Sequence, residues 1–325
     1  MRKVIGMKDR FSNEFIDALE KQDIKALRGI PKADLHNHFT LGGNREYIKE
    51  ITGIEIPYYK GVLKSMDDMH NWNSVHLGER FNNRDMRKIQ IDATFVQANL
   101  DGIKILEIGE DVWGLGEFFN NDIEELINTF VESNKRFAPE TELRLQIGLS
   151  RHCSINYLLD CLENFWGRKE FHSIDLYGDE LAQPIEKFEP IYIKAKDNGL
   201  RLKAHIGEWG TSDDIKKGVE ILGLDEIQHG ISVVESEKVI QYLIDNKIRL
   251  NITPTSNKKL GRVSSICEHP IKELYRAGVD ITINSDDILI FNSDVSKEYL
   301  RLHKNHVLSA EELDSIRVNG LKRFK

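Results

Sequence analysis

The chain has 325 residues, with 45 lysines and arginines against 53 aspartates and glutamates, and a net charge of −8. Its 40% hydrophobic and 30% charged residues match a soluble globular protein with a large core, neither disordered nor fibrous. The acidic balance excludes a general nucleic-acid coat, which carries a basic excess, and still allows a small anionic ligand held by local cations.

Short β-rich runs fall at 33–38, 102–109, 143–150, 173–177, 200–206, 226–231, 248–253 and 279–284. Amphipathic stretches separate most of them. Pro184 to Lys196 and Ser236 to Asp245 space their apolar residues helically, and Ser236 is a suitable N-cap. Eight strands alternating with helices predict a parallel sheet, and the count favours a closed (β/α)8 barrel over an open doubly wound sheet. No GxGxxG follows an early strand, which argues against dinucleotide binding. The segment 58–85, with Tyr58, Tyr59, Trp72 and Phe81, fits neither period. It reads as an insertion or lid after the first strand, within one domain spanning 1–325. Cys153, Cys161 and Cys267 are too few and scattered for a disulfide framework or a CxxC zinc site. No apolar run approaches the roughly 20 residues of a membrane span. The first ten residues lack the apolar stretch of a secretory signal, so a cytoplasmic location is expected.

Four strand ends carry chemistry. Asp34-Leu35-His36-Asn37-His38 puts two imidazoles on one face, because residues two apart on a strand point the same way. His205 closes another strand, with Glu208 in the loop behind it. His229 ends a third, and Asp286-Asp287 a fourth. Singly, each has an ordinary structural role, such as a turn or cap for paired aspartates. Together they change meaning, because a barrel gathers its strand C-termini on one face. Three histidines and one aspartate make a zinc-like nitrogen and oxygen set with room for water. Such a metal lowers the pKa of water toward roughly 7. His229 is then placed to take the water proton, Glu208 to act as the acid, and Asp287 to orient substrate.

These residues resemble the adenosine deaminase family of the amidohydrolase superfamily, over nearly the whole chain. The resemblance rests on Ile30-Pro-Lys-Ala-Asp-Leu-His-Asn-His38, Leu176-Tyr-Gly-Asp-Glu180, His205-Ile-Gly-Glu208, Gln228-His-Gly230, Thr253-Pro-Thr-Ser-Asn257 and Asn284-Ser-Asp-Asp287. It implies a barrel with one zinc ion held by His36, His38, His205 and Asp286. It also implies that Glu208 protonates purine N1, His229 assists the attacking water, Asp287 meets N7, and the Gly178 backbone meets N3. No lysine stands after the fourth strand, so a mononuclear site matches better than a bridged pair. The expected partner is a small adenine compound: adenosine or deoxyadenosine first, then AMP, dAMP or an N6-modified AMP, and free adenine third. A purine-nucleotide sensor without turnover is a further alternative.

Three features depart from the family pattern. The acidic residue that usually follows His-x-His, and meets ribose in adenosine deaminases, is absent from Phe39-Thr-Leu-Gly-Gly43. Lys258, Lys259 and Arg262 form a basic loop that reads either as solvated or as a phosphate site. The chain stops at Lys325, where members usually continue, which reads as a short or incomplete variant. Trp113, Phe118 and Phe119 are candidates for an apolar wall against the purine, or for ordinary core. His70, His76, His152, His172, His269, His303 and His306 fit no ligand motif.

Overall fold

The computed structural model describes residues 8–322. Residues 1–7, where the absence of a signal was read, and 323–325 at the C-terminal stop lie outside them. Eight parallel strands follow one another around the sheet in chain order. They are β1 (Lys32–Asp34), β2 (Ile103–Ile108), β3 (Glu142–Ser150), β4 (Phe171–Tyr177), β5 (Arg201–Ile206), β6 (Glu226–His229), β7 (Arg249–Ile252) and β8 (Asp280–Ile283). The eight runs read from sequence each contain or overlap one of these strands, and helices alternate with them.

Alternation along each strand decides what faces where. In β5, Leu202, Ala204 and Ile206 join the main apolar cluster with helix residues such as Phe95 and Phe130. Lys203 and His205 take the opposite face, toward the barrel axis. That axis is polar and buried. Lys203 Nζ reaches Leu35 O at 3.0 Å, Glu107 at 2.8 Å and Glu226 at 3.3 Å. Asp175 accepts from Gln146 at 2.9 Å and from Gln228 at 3.2 Å. Such charges are tolerated inside because they are paired.

The barrel shuts just beyond the ends of β8 and β1. Asp286 N donates to His36 O at 2.9 Å, Leu35 N to Asn284 Oδ1 at 2.8 Å, and Ser285 N to Asp34 Oδ1 at 3.1 Å. The seam therefore runs through the residues singled out as metal ligands.

The 184–196 stretch divides into a 3-10 turn, Ile185–Phe188, and the helix Glu189–Asp197. Pro190 explains the break, since it has no N–H to continue an earlier ladder and suits a first helical turn. Ser236 caps the helix Glu237–Asp245 by accepting from Val239 N. The 58–85 segment contains the helices Met66–His76 and Gly78–Phe81. It packs with Leu41, Ile48 and Phe291 in an apolar cluster apart from the main core. Lys259 Nζ donates to Tyr59 O at 3.0 Å, and Leu63 N to Lys259 O at 2.7 Å. Cys153, Cys161 and Cys267 are unbridged. Among the described residues no helix is long and apolar enough to cross a membrane.

Candidate active site

The parallel strands deliver the sequence-predicted ligands to one end of the barrel. His36 Nε2 lies 3.1 Å from His205 Nε2, and His38 Nε2 lies 3.2 Å from the same atom. Asp286 Oδ1 lies 3.8 Å from His38 Nε2 and 4.0 Å from His36 Nε2. Donors about 2.0–2.1 Å from a shared tetrahedral ion would stand roughly 3.4 Å apart, so this spacing suits a common centre. The imidazoles are also oriented for it. His36 Nδ1 donates to Asn251 O at 3.0 Å, and His205 Nδ1 meets Asp175 Oδ1 at 3.3 Å. That leaves the Nε2 lone pairs facing inward. Burial, reinforced by His205, pushes His36 and His38 down to about 3, so both stay neutral. Three imidazole nitrogens and a carboxyl oxygen fit a zinc-type ion. His229 forms a second such grouping with His36 and His205.

Two strand-end residues carry strained backbone. His229 and Asp286 have φ of 63° and 62°, a region that non-glycine residues seldom occupy. Each such residue costs on the order of 1–3 kcal/mol and tends to occur at functional sites. In Gly178, φ is 94° and a Cβ would stand 3.0 Å from His152 Nδ1. Glycine therefore keeps its backbone open to the cavity.

Glu208 and Asp287 face the cluster. Burial, then the nearby Asp286 and Glu180, pushes the Glu208 carboxyl well above its ordinary range. Burial, then Asp286 and Glu208, does the same for Asp287. Both carboxyls are thereby shifted toward their neutral form, and Asp287 Oδ1 is buried without a hydrogen-bond partner among the described residues. A chain of bonds aims Glu208. Ile271 N donates to His269 Nδ1 at 3.1 Å, so the His269 proton sits on Nε2 and goes to Asn257 Oδ1 at 3.1 Å. The Asn257 amide NH2 then points at Glu208 Oε1, at 2.9 Å. His229 Nδ1 is 3.0 Å from Thr253 Oγ1 and 3.4 Å from Glu208 Oε1.

These groups open into a cavity of about 660 Å3, lined by His38, Gly178, His205, Glu208, His229, Asp286 and Asp287 among others. Lys258 and Arg262 are not brought to it. Lys258 is exposed, and the Arg262 guanidinium stacks 3.8 Å from the Trp209 ring centroid. Of the three aromatic candidates Trp113 lines the cavity, while Phe118 and Phe119 are buried in the main core. Four contributors went unassigned in the sequence reading: Asp175, Asn257, Glu180 and the helix Met66–His76. Asn257 and Glu180 sit inside recognised motifs, which was the available signal. Met66, Met69, His70, Asn73 and Ser74 line the cavity at i, i+3, i+4, i+7 and i+8, one helical face obscured by its mixed polarity. His152, likewise unassigned to a ligand motif, lines it too.

A family model described as adenosine deaminase matches residues 119–324. This chain belongs to the adenosine deaminase family. Membership supports hydrolytic deamination as the reaction class. A Treponema pallidum relative provisionally named adenosine/adenine deaminase is 28% identical, over 85% of this chain and 92% of its own. An adenosine deaminase of Plasmodium gallinaceum is 27% identical, over 94% and 89%. The solved adenine deaminase of Arthrobacter aurescens superposes with a TM-score of 0.76 at 26% identity, covering 89% of this chain and 92% of that one.

Proposed function

We propose that this member of the family removes the 6-amino group of an adenine nucleoside, adenosine or deoxyadenosine, with one zinc ion held by His36, His38, His205 and Asp286. The observation carrying the reading is the convergence of those four donors beside two buried carboxyls, Glu208 and Asp287, that line the same cavity and whose burial favours the proton-bearing form. Zinc, when bound, would supply the Lewis acidity that brings water toward a neutral pKa. His229, buried and neutral, accepts the proton of the attacking water. Glu208 gives its proton to purine N1, which makes C6 more electrophilic. Asp287 donates to N7, and the backbone of Gly178 meets N3. Water adds at C6, the amino group leaves as ammonia, and the base becomes the 6-oxopurine.

The lining favours a neutral substrate. Among the described residues around the cavity there is no lysine, and the one arginine, Arg87, is taken by Glu110, with Nε to Oε2 at 2.7 Å. A phosphate would find no unpaired guanidinium or ammonium there. Free adenine is the second reading. It is supported by the missing acidic residue after His38 and by the adenine deaminase among the relatives. A cavity of about 660 Å3 leaves space beyond a bare base and favours the nucleoside. The test is zinc-loaded protein assayed on adenosine, deoxyadenosine, adenine, AMP and dAMP by the adenine-to-hypoxanthine absorbance change. The proposal expects fastest turnover of a nucleoside. No turnover of any of the five, with zinc bound, would refute it.

A further inference from the structure

Glu180 stands in the loop after β4, beside Gly178, and is 5% exposed. Its carboxylate accepts four consecutive backbone N–H groups of the loop after β5. Gly207 N reaches Oε1 at 2.6 Å, while Glu208, Trp209 and Gly210 N reach Oε2 at 3.1, 2.7 and 3.1 Å. Four amides converging on an anion form a nest, here filled by the chain's own side chain. The bonds are charge-assisted and fix the direction of the loop. Gly207 adopts a φ of 76°, and a Cβ there would fall 2.3 Å from Ile215 Cδ1, so its path is tightly confined. The fit extends to Gly210, where a Cβ would lie 2.6 Å from Glu180 Oε1.

We propose that Glu180 is a positioning residue that locks the 207–210 turn and thereby holds the Glu208 side chain at its working place, tying it to the Gly178 backbone two residues away. The inference rests on the reading of Glu208 as proton donor. Glu180 acts through the backbone, and its contribution is geometric. Gln at 180 preserves the shape but offers one acceptor oxygen and turns an NH2 toward amides that are themselves donors. The turn then relaxes, and a displacement of about 1 Å at the donor costs on the order of 10²-fold in rate.

The experiment compares wild type, Glu180→Gln, Glu208→Gln and the double variant, with zinc content measured for each. Glu180→Gln should lower kcat about 10²-fold while KM stays within about threefold and zinc remains stoichiometric. In the Glu208→Gln background the same change should cost less than about twofold, because the residue it positions no longer donates. Gly210→Ala, which crowds the same carboxylate, should lower kcat in the same direction and serves if Glu180→Gln does not fold. The inference is overturned if kcat stays within twofold of wild type, if its loss merely tracks lost zinc or folded protein, or if Glu180→Gln costs the double variant as much as the wild type. A Glu208→Gln protein with wild-type turnover would instead remove the function reading beneath it.

Discussion

Replacing Lys203 with Met tests the claim that the barrel axis is held by charge pairing. Lys203 is fully buried, and its ammonium satisfies Glu107, Glu226 and Leu35 O. Met fills similar volume without charge. Leu35 O keeps a donor in Gln228 Nε2 at 3.3 Å, so the loss falls on the two carboxylates. Removing one partner of a buried ion pair costs about 3–5 kcal/mol. At about 2 °C per kcal/mol for a long chain, the melting point should fall by roughly 6–10 °C. The pH dependence sharpens the test. Burial alone would push the Glu226 carboxyl up, but Lys203, Arg249 and Arg201 outweigh it and hold it well below the usual range. A carboxyl depressed in the fold stabilises above its unfolded pKa of 4.5 and loses that contribution as pH falls through the folded value. The wild-type advantage over Lys203→Met should thus be greatest above about pH 5 and shrink on acidification. Urea unfolding at several pH values measures it. A penalty under about 1 kcal/mol at neutral pH, or one that grows in acid, would refute the pairing argument.

Three further outcomes are expected. Asp175→Asn, which weakens the carboxylate behind His205, should reduce zinc affinity about 10- to 100-fold, read by competition with a chromophoric chelator; unchanged affinity would separate Asp175 from the metal centre. Stripping with a strong chelator should abolish turnover and lower the melting point, and added zinc should restore both; full activity in metal-free protein would remove the ion from the reading. The Lys258→Ala, Arg262→Ala double variant should leave the AMP-to-adenosine ratio of kcat/KM unchanged within about twofold, whereas a selective loss on AMP would place a phosphate at that loop.

The barrel was legible because its strands are short apolar runs whose ends carry the unusual residues. His36, His38, His205, His229 and Asp286 could be gathered from order alone, since parallel strands bring their C-terminal ends together. The residues behind them were not legible. Asp175 and Lys203 look like polar interruptions in apolar strands until the barrel turns them inward. Arg262 looked available for phosphate, and only packing shows it lying on Trp209. The helix Met66–His76 was hidden because the face that borders the cavity mixes Met66 and Met69 with His70, Asn73 and Ser74, which blunts the apolar period.

The seam between β8 and β1 gives the candidate metal centre a mechanical consequence. His36 and His38 belong to one lip and Asp286 to the other, joined by the Asp286 N to His36 O bond and its neighbours. An ion gripped from both lips is a rivet through the only join that lacks a continuous strand ladder among the described residues. With such an ion bound, emptying the site and loosening the cylinder would become one event. Amide hydrogen exchange at residues 35–38 and 284–286 should therefore quicken first in stripped protein, before any helix on the outer ring responds.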